Sequence, residues 1–296
     1  MFRVRDINLQ WINKAKKRGK LLMGYKEVLL KENATLYCDP YNKRIRVDTY
    51  SNSLSELFPT LLTKASKINA DKIIVKARTD QVKDCLRLGF NNEGIINNYF
   101  NGEDAWFFSY FLTRERRESH FHIEETTILR DLDTVHAKPI SSLPTQYQIR
   151  KATLSDSSSL AVLYQNTFPI YPVPIHHERY ISESMKDTVY YCIEIEGDMI
   201  SAASAEINRV DCNAEITDCA TLKKYRSLGL LKNILNELEE ELKGMNIPVV
   251  YSLARALSLG MNKSLKQLGY EYHGKLVNNC YIYDKLESMN IWSKSL

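Results

Sequence analysis

Asn213-Ala-Glu-Ile-Thr-Asp-Cys-Ala-Thr-Leu222, continuing through Lys-Lys-Tyr-Arg226-Ser-Leu-Gly229-Leu-Leu-Lys232, is the stretch on which the fold is decided. Residues 213–222 are rich in Ile, Thr and Cys and hold neither Pro nor Gly, which favours an extended strand. Beyond Gly229 the period changes. Leu230, Leu231, Ile234, Leu235, Leu238 and Leu242 recur at helical steps, with Lys232, Asn236, Glu237, Glu239 and Glu240 on the other face. A helix therefore begins at Arg226-Ser-Leu-Gly229. Its first N–H groups lack intrahelical partners and sit at the positive end of the helix dipole. Gly229 removes a side chain where a ligand must approach the backbone, and Arg226 adds a fixed positive charge. Together these residues predict a seat for a pyrophosphate.

The pattern Arg226-x-x-Gly229-x-Leu231 resembles motif A of the GNAT acyltransferases, usually Arg/Gln-x-x-Gly-x-Gly/Ala, although the last small residue is replaced here by leucine. Downstream, Ile247-Pro-Val-Val-Tyr-Ser-Leu253 reads as a buried strand and Ser258 to Leu268 as a short amphipathic helix closed by Gly269. Tyr270 to Leu286 alternates as a bent hairpin. Upstream, Gln148-Ile-Arg-Lys-Ala-Thr153-Leu-Ser-Asp156 resembles the family's opening strand, with Thr153 and Asp156 spaced as a capping box. The resemblance covers about residues 146–288. It implies an α/β (α+β) GNAT fold, a mixed central sheet flanked by helices. It also implies acetyl-CoA as co-substrate, with Arg226, Ser227, Leu228, Gly229, Leu230 and Leu231 seating the pyrophosphate. Cys219, Ala220, Thr221 and Leu222 would lie along the acetyl and pantetheine groups, and Asn262 would contact the pantetheine arm.

At 296 residues and 44% hydrophobic composition the chain has room for two ordinary domains with real cores. A net charge of +4 is too mild to argue for nucleic acid, and no run of 18 apolar residues is available to span a membrane. Met-Phe-Arg-Val-Arg-Asp lacks the apolar core of a signal peptide, so cytoplasmic residence is expected. The six cysteines show no C-x-x-C pairing and read as reduced thiols, and neither His120-x-His122 nor His176-His177 has zinc-type company, so no metal is expected.

The predicted organisation is an N-terminal domain over 1–130, a linker over 131–147 carrying Pro139 and Pro144, and the GNAT domain over 148–288. In the first domain, Lys43 to Tyr50 and Lys72 to Arg78 read as strands flanking a helix from Leu54 to Ile68. The chain then repeats itself. Lys76-Ala-Arg78, a helix ending Leu-Gly89-Phe90, and Gly94 parallel Leu253-Ala-Arg255, a helix ending Leu-Gly269-Tyr270, and Gly274. This suggests a degenerate GNAT-like half without an Arg-x-x-Gly turn; chance similarity between short strand–helix–strand units is the alternative. The basic run Asn13 to Lys20 reads as a solvated face, or as a contact for the ribose phosphate of the cofactor.

An alkyl amine with a pKa near 10.4 is almost wholly protonated at neutral pH, so attack on a thioester calls for a base. Ala214-Glu-Ile-Thr-Asp-Cys-Ala220 resembles the Ala-Glu-Ile-Val-Phe-Cys-Ala strand of the histone acetyltransferase branch, which implies Glu215 as that base; an exposed strand edge is the plain alternative. Glu206 and Asp218 are better suited to binding an ammonium, or to facing solvent. Cys219 lacks an activating histidine in sequence and the family transfers its acyl group directly. The usual tyrosine general acid falls here on Leu265, which leaves Tyr251 and Tyr281 as candidates.

The loop Thr167-Phe-Pro-Ile-Tyr171-Pro-Val-Pro-Ile175 has prolines to stiffen it and aromatics for walls. Asn98-Tyr-Phe-Asn-Gly102-Glu-Asp-Ala-Trp-Phe-Phe108 reads as a hairpin with an Asn-Gly turn. Tyr-Phe-Asn-Gly-Glu-Asp-Ala, Tyr-Pro-x-Pro-Ile and Thr-Asp-Cys-Ala-Thr-Leu together resemble the β-lysine acetyltransferases over nearly the whole chain. That resemblance implies acetylation of the side-chain amine of β-lysine to give Nε-acetyl-β-lysine, a compatible solute, and a pathway link to a lysine 2,3-aminomutase. Glu103 and Asp104 would then recognise a cationic end of the substrate, Tyr171 would wall the acceptor side, and Arg255 would face the carboxylate. The same chemistry on lysine or a polyamine, and a silent coenzyme A-binding sensor, are the rival readings.

Overall fold

The computed structural model describes residues 24–296 except Asn52, Pro169, Ile170, Pro172, Tyr283 and Asp284. The basic run at 13–20 lies outside the described residues. The elements, in chain order, are β1 (Tyr25–Leu29), β2 (Ala34–Asp39), β3 (Arg44–Tyr50), α1 (Leu54–Ile68), β4 (Lys72–Ala77), α2 (Val82–Arg87), β5 (Asn91–Phe100), β6 (Glu103–Phe111), α3 (Arg114–Arg117) and α4 (His122–Leu132). They continue as β7 (Gln148–Lys151), α5 (Ser157–Thr167), α6 (Glu178–Ser184), β8 (Thr188–Ile195), β9 (Asp198–Asn208), β10 (Asn213–Thr221), α7 (Leu230–Gly244), β11 (Val249–Arg255), α8 (Leu259–Gln267), β12 (Glu271–Ile282) and β13 (Lys285–Ser295). The final hairpin thus extends past Leu286, because both faces of β13 are buried, Ile291 in one apolar cluster and Trp292 in another.

Among the described residues thirteen strands join one sheet in the order β1-β2-β3-β4-β6-β5-β12-β13-β11-β10-β9-β8-β7. From its flank towards the centre, the N-terminal half runs β2-β3-β4-β6-β5. The C-terminal half runs β9-β10-β11-β13-β12. Each half has one parallel pair, β3/β4 and β10/β11, crossed by one long helix, and its other pairs are antiparallel. The halves meet where Gly94 of β5 pairs with Gly274 of β12. These glycines end the repeated Gly-x-x-x-x-Gly spacing. A Cβ on Gly274 would lie 2.2 Å from the Glu93 carbonyl oxygen, so no side chain fits there.

Four apolar clusters hold this frame. Leu230, Ile234, Leu235, Leu238 and Leu242 of α7 are buried against β8 to β11, each contributing roughly 1.5–3 kcal/mol relative to exposure. A second cluster seats Leu54, Leu57, Leu61 and Ala65 of α1 on β2 to β4. A third joins the halves, with Tyr99, Phe100 and Phe107 packed against Tyr251, Leu276 and Ile291. The fourth places α5 and α6 on the face of β8 and β9 opposite α7. Among the described residues no helix is long and apolar enough to cross a membrane.

Candidate active site

The parallel ladder between β10 and β11 lasts only from Asn213↔Val249 to Glu215↔Tyr251, and the strands then diverge. On its other side β10 bulges between Thr217 and Ala220, with Asp218 at φ 51°. The divergence opens a cleft of about 960 Å³ between the halves, with the turn before α7 at one end.

Gly229 is the N-cap of α7 with φ 77°, a left-handed conformation that favours glycine, and the nearest atom to an added Cβ would be Lys232 Cε at 3.9 Å. The backbone there is open to the cleft. Arg226 braces the turn by donating from Nε to the Thr221 carbonyl at 3.1 Å. Cys219, Thr221, Arg226, Ser227, Gly229, Leu230 and Leu231 all line the cleft, joined by Lys232 and Lys263. Donor N–H groups at a helix start, three cationic side chains and open backbone fit the pyrophosphate of acetyl-CoA.

Four residues of the expected cofactor set lie elsewhere. Ala220 is buried, and its carbonyl accepts from Ser201 Oγ at 3.0 Å. Leu222 packs into the core and Leu228 is exposed. Asn262 is fully buried. Its Nδ2 donates to the Arg255 and Ser258 carbonyls at 2.8 Å each, and its Oδ1 accepts from Asn290 Nδ2 at 2.9 Å and Trp292 Nε1 at 2.8 Å. All its hydrogen-bonding capacity is used to tie α8 to β11 and β13, so it has none for a pantetheine arm.

Glu215 projects into the cleft from β10 and accepts from the Tyr251 hydroxyl at 3.0 Å. Burial, helped by the neighbouring charge of Glu206, pushes its pKa up to about 7, against the opposing pull of Lys76, Arg46 and the Tyr251 hydrogen bond. Burial and the Glu215 charge raise the Tyr251 hydroxyl well above its ordinary value, so it stays a donor. Tyr281 does not line the cleft. Glu206 stands directly opposite Glu215 on β9. Asp218 accepts from Tyr171 at 2.8 Å and from Ser204 Oγ at 2.9 Å, and burial raises its pKa to about 6. Burial, then the Asp218 charge, raises the Cys219 thiol; protonated, it is no nucleophile.

Three expected substrate contacts are placed otherwise. Glu103 is exposed and paired with Arg78 at the hairpin tip, away from the cleft. Asp104 Oδ1 accepts from the Asn98 N–H at 3.0 Å and so closes the hairpin's own turn. That hairpin joins the halves instead: Asn101 N–H donates to the Asp211 carbonyl at 2.9 Å, and Asn213 Nδ2 to that of Tyr99 at 2.7 Å. Arg255 does line the cleft, but Glu287 engages its Nε and Nη2 at 2.9 and 2.8 Å. Of the proline-rich loop, Thr167, Phe168, Tyr171 and Val173 line the cleft.

Sequence reading missed Arg44, Arg46 and Lys76, which line the cleft from β3 and β4 of the N-terminal half. The signal was available: Arg44, Arg46 and Asp48 alternate onto one face of a strand.

A model of the Acetyltransferase (GNAT) family matches residues 158–270. Over 264 residues the chain is 39% identical to N-acetyltransferase YodP of Bacillus subtilis, covering 89% of this chain and 96% of that protein. It is 34% identical to a β-lysine N(6)-acetyltransferase of Methanosarcina mazei, covering 81% of this chain and 97% of that protein. A β-lysine N(6)-acetyltransferase of Methanococcus maripaludis is 32% identical, covering 86% and 93% respectively. The chain belongs to the GNAT family of acetyltransferases. As a GNAT protein it has the mixed α/β fold of that family and is an acetyl-CoA-dependent amine N-acetyltransferase. The matched span runs from α5 to the residue before β12, and so contains the Gly229 turn, Glu215 and both diverging strands.

Proposed function

We propose that the protein transfers acetyl from acetyl-CoA to the side-chain amine of β-lysine, with Glu215 as the general base. The observation that carries this reading is a carboxylate with a pKa near 7, set beside the strand divergence and hydrogen-bonded to Tyr251. The names of the two archaeal relatives support the choice of acceptor. Acetyl-CoA supplies an acyl group activated as a thioester. Arg226, Lys232, Lys263 and the first N–H groups of α7 hold its phosphates. Glu215 accepts the proton from the acceptor ammonium, directly or through water, freeing the nitrogen lone pair for attack on the acyl carbon. At neutral pH only about one such amine in a few thousand carries that lone pair unaided. The Tyr251 hydroxyl orients the carboxylate and gives its proton to the departing sulfur, taking one back from the Glu215 carboxyl to which it is hydrogen-bonded, while the second proton lost from nitrogen passes to solvent. Asp218 and Glu206 hold positive charge on the acceptor.

On this reading the product is Nε-acetyl-β-lysine, a compatible solute made in the cytoplasm, with a lysine 2,3-aminomutase supplying the β-lysine. Residues 1–130 act as a degenerate GNAT-like half that has lost its phosphate turn and completes the acceptor side. Thiol release from acetyl-CoA, measured across β-lysine, α-lysine and spermidine, tests the assignment. β-Lysine should react much faster than the others, and equal rates would remove it as the substrate.

A further inference from the structure

The two parallel pairs have matching registers. Arg46 pairs with Ile74 across β3/β4, and Glu215 pairs with Tyr251 across β10/β11. The repeat that sets Lys76-Ala-Arg78 over Leu253-Ala-Arg255 sets Ile74 over Tyr251. Arg46 therefore holds in the N-terminal half the position that Glu215 holds in the C-terminal half. Both line the one cleft, with opposite charge.

Arg46 is braced. Asp48 accepts from its Nε at 2.5 Å and its Nη2 at 3.3 Å, and its guanidinium stacks 5.1 Å from the Tyr37 ring centre. Among the described residues these are its polar partners. Lys76 lies beside them, its Nζ 2.9 Å from the Tyr99 hydroxyl and 3.6 Å from Asp48 Oδ1. Arg46, Lys76 and Asp48 together leave one net positive charge on this wall. The facing wall carries Glu206, Glu215 and Asp218. Arg44, the other cleft cation on β3, is committed to Asp39 and to the Asn279 carbonyl, at 3.1 Å each.

We propose that Arg46, supported by Lys76, binds the carboxylate of the acceptor, so that the cleft selects an amino acid with a side-chain amine over a diamine or polyamine. The inference rests on the amine acetyltransferase reading and adds its second point of recognition. An acceptor with an ammonium at one end and a carboxylate at the other spans a cleft with one acidic and one basic wall. A diamine leaves the guanidinium without its anion and sets like charges together. A guanidinium fork also suits a carboxylate geometrically.

Thiol release at saturating acetyl-CoA tests this with two acceptors, β-lysine and the diamine that is β-lysine without its carboxylate. In Arg46→Gln the KM for β-lysine should rise about 10- to 100-fold, the loss expected for a charge-assisted hydrogen bond. Because Arg46 also holds the Glu215 pKa down, the comparison is made at pH 9, where Glu215 is ionised in both proteins; kcat there should stay within about twofold, and the KM for the diamine should stay the same or fall as the like charge is removed. Arg46→Lys should recover part of the loss, since it keeps the charge without the fork. Equal losses on both acceptors in Arg46→Gln would overturn the proposal, as would a wild-type protein that takes both equally well. Should β-lysine prove inert and another amino acid reactive, the substrate assignment alone fails; Arg46 dependence measured on that amino acid and its decarboxylated partner then decides the carboxylate role.

Discussion

Glu215 carries two linked expectations, because the burial that suits it to the proposed role of base also costs the fold. As a base it must be ionised, so kcat/KM should fall as pH drops through about 7 and level off above. Glu215→Gln should cut kcat by about 10² to 10⁴ and abolish that limb, while leaving the KM for acetyl-CoA unchanged. A variant that keeps its rate would take Glu215 out of the mechanism. The stability effect has the opposite direction. The native carboxyl, with its pKa raised from 4.5 to about 7, holds its proton where the unfolded chain has released it, so stability contributed by the protonated form is lost as pH rises between those values. At pH 8 Glu215→Gln should therefore be more stable than the parent by about 3 kcal/mol, a gain that vanishes near pH 4 and is measured by urea unfolding at the two pH values. The residue's place on a strand was legible from the Ala-Glu-Ile pattern, and the structure sets it in the cleft. Its shifted pKa was not, since that depends first on burial and then on Glu206, Lys76, Arg46 and Tyr251, none of them an adjacent residue in sequence.

Helix α8 shows how an element can be found in sequence while one of its side chains is misassigned. Its helical period and closing Gly269 were readable, and Ser258 does precede its first residue. Asn262 falls one turn before Leu265, on the buried face, yet the partners of its Oδ1 are Asn290 and Trp292, contributed by a strand that begins eighteen residues after the helix ends. Periodicity reports which face is buried; it does not report which polar groups arrive from another strand. Asn262→Ala would leave two buried side-chain donors, Asn290 Nδ2 and Trp292 Nε1, without their acceptor, while the Arg255 and Ser258 carbonyls keep their backbone N–H partners, at a cost of roughly 2–3 kcal/mol. The expected result is a large drop in melting temperature, with the KM for acetyl-CoA unchanged in the protein that remains folded. A raised KM at unchanged melting temperature would restore Asn262 to the cofactor site. The α1 bounds and the start of α7 were read well for the same reason that α8 was: their leucines repeat at helical steps, and Gly229 stands at the start of α7.

Across the whole molecule the repeated glycine spacing was visible in the sequence, but the meeting of Gly94 and Gly274 was not, because no local pattern says that two similar halves pair edge to edge. That meeting sets the cleft, with Glu215 on one side and Arg46 on the other. Backbone pairing between β5 and β12 is confined to this one position, and side chains add to it and to the Asn101–Asp211 backbone bond. Buried Lys72 bonds Glu93 at 2.7 Å and the Val277 carbonyl at 2.8 Å; Arg44 and Arg116 each donate to the Asn279 carbonyl at 3.1 Å. Gly274→Ala would put a methyl 2.2 Å from the Glu93 oxygen and 2.5 Å from Gly94 Cα, at a φ of 143°. Both obstacles are backbone, so relief requires the strands to part. Gly102→Ala separates the two contributions, because Gly102 has φ 104° and nothing within 4 Å of an added Cβ. That control should lose about 1–2 kcal/mol from backbone strain. Gly274→Ala should lose a further 1–3 kcal/mol from crowding. It should also raise the KM for the acceptor more than that for acetyl-CoA, because on the proposed reading the acceptor touches both halves while the phosphate seat belongs to one. Equal unfolding midpoints for the two variants would mean that the halves are not joined through this glycine pair.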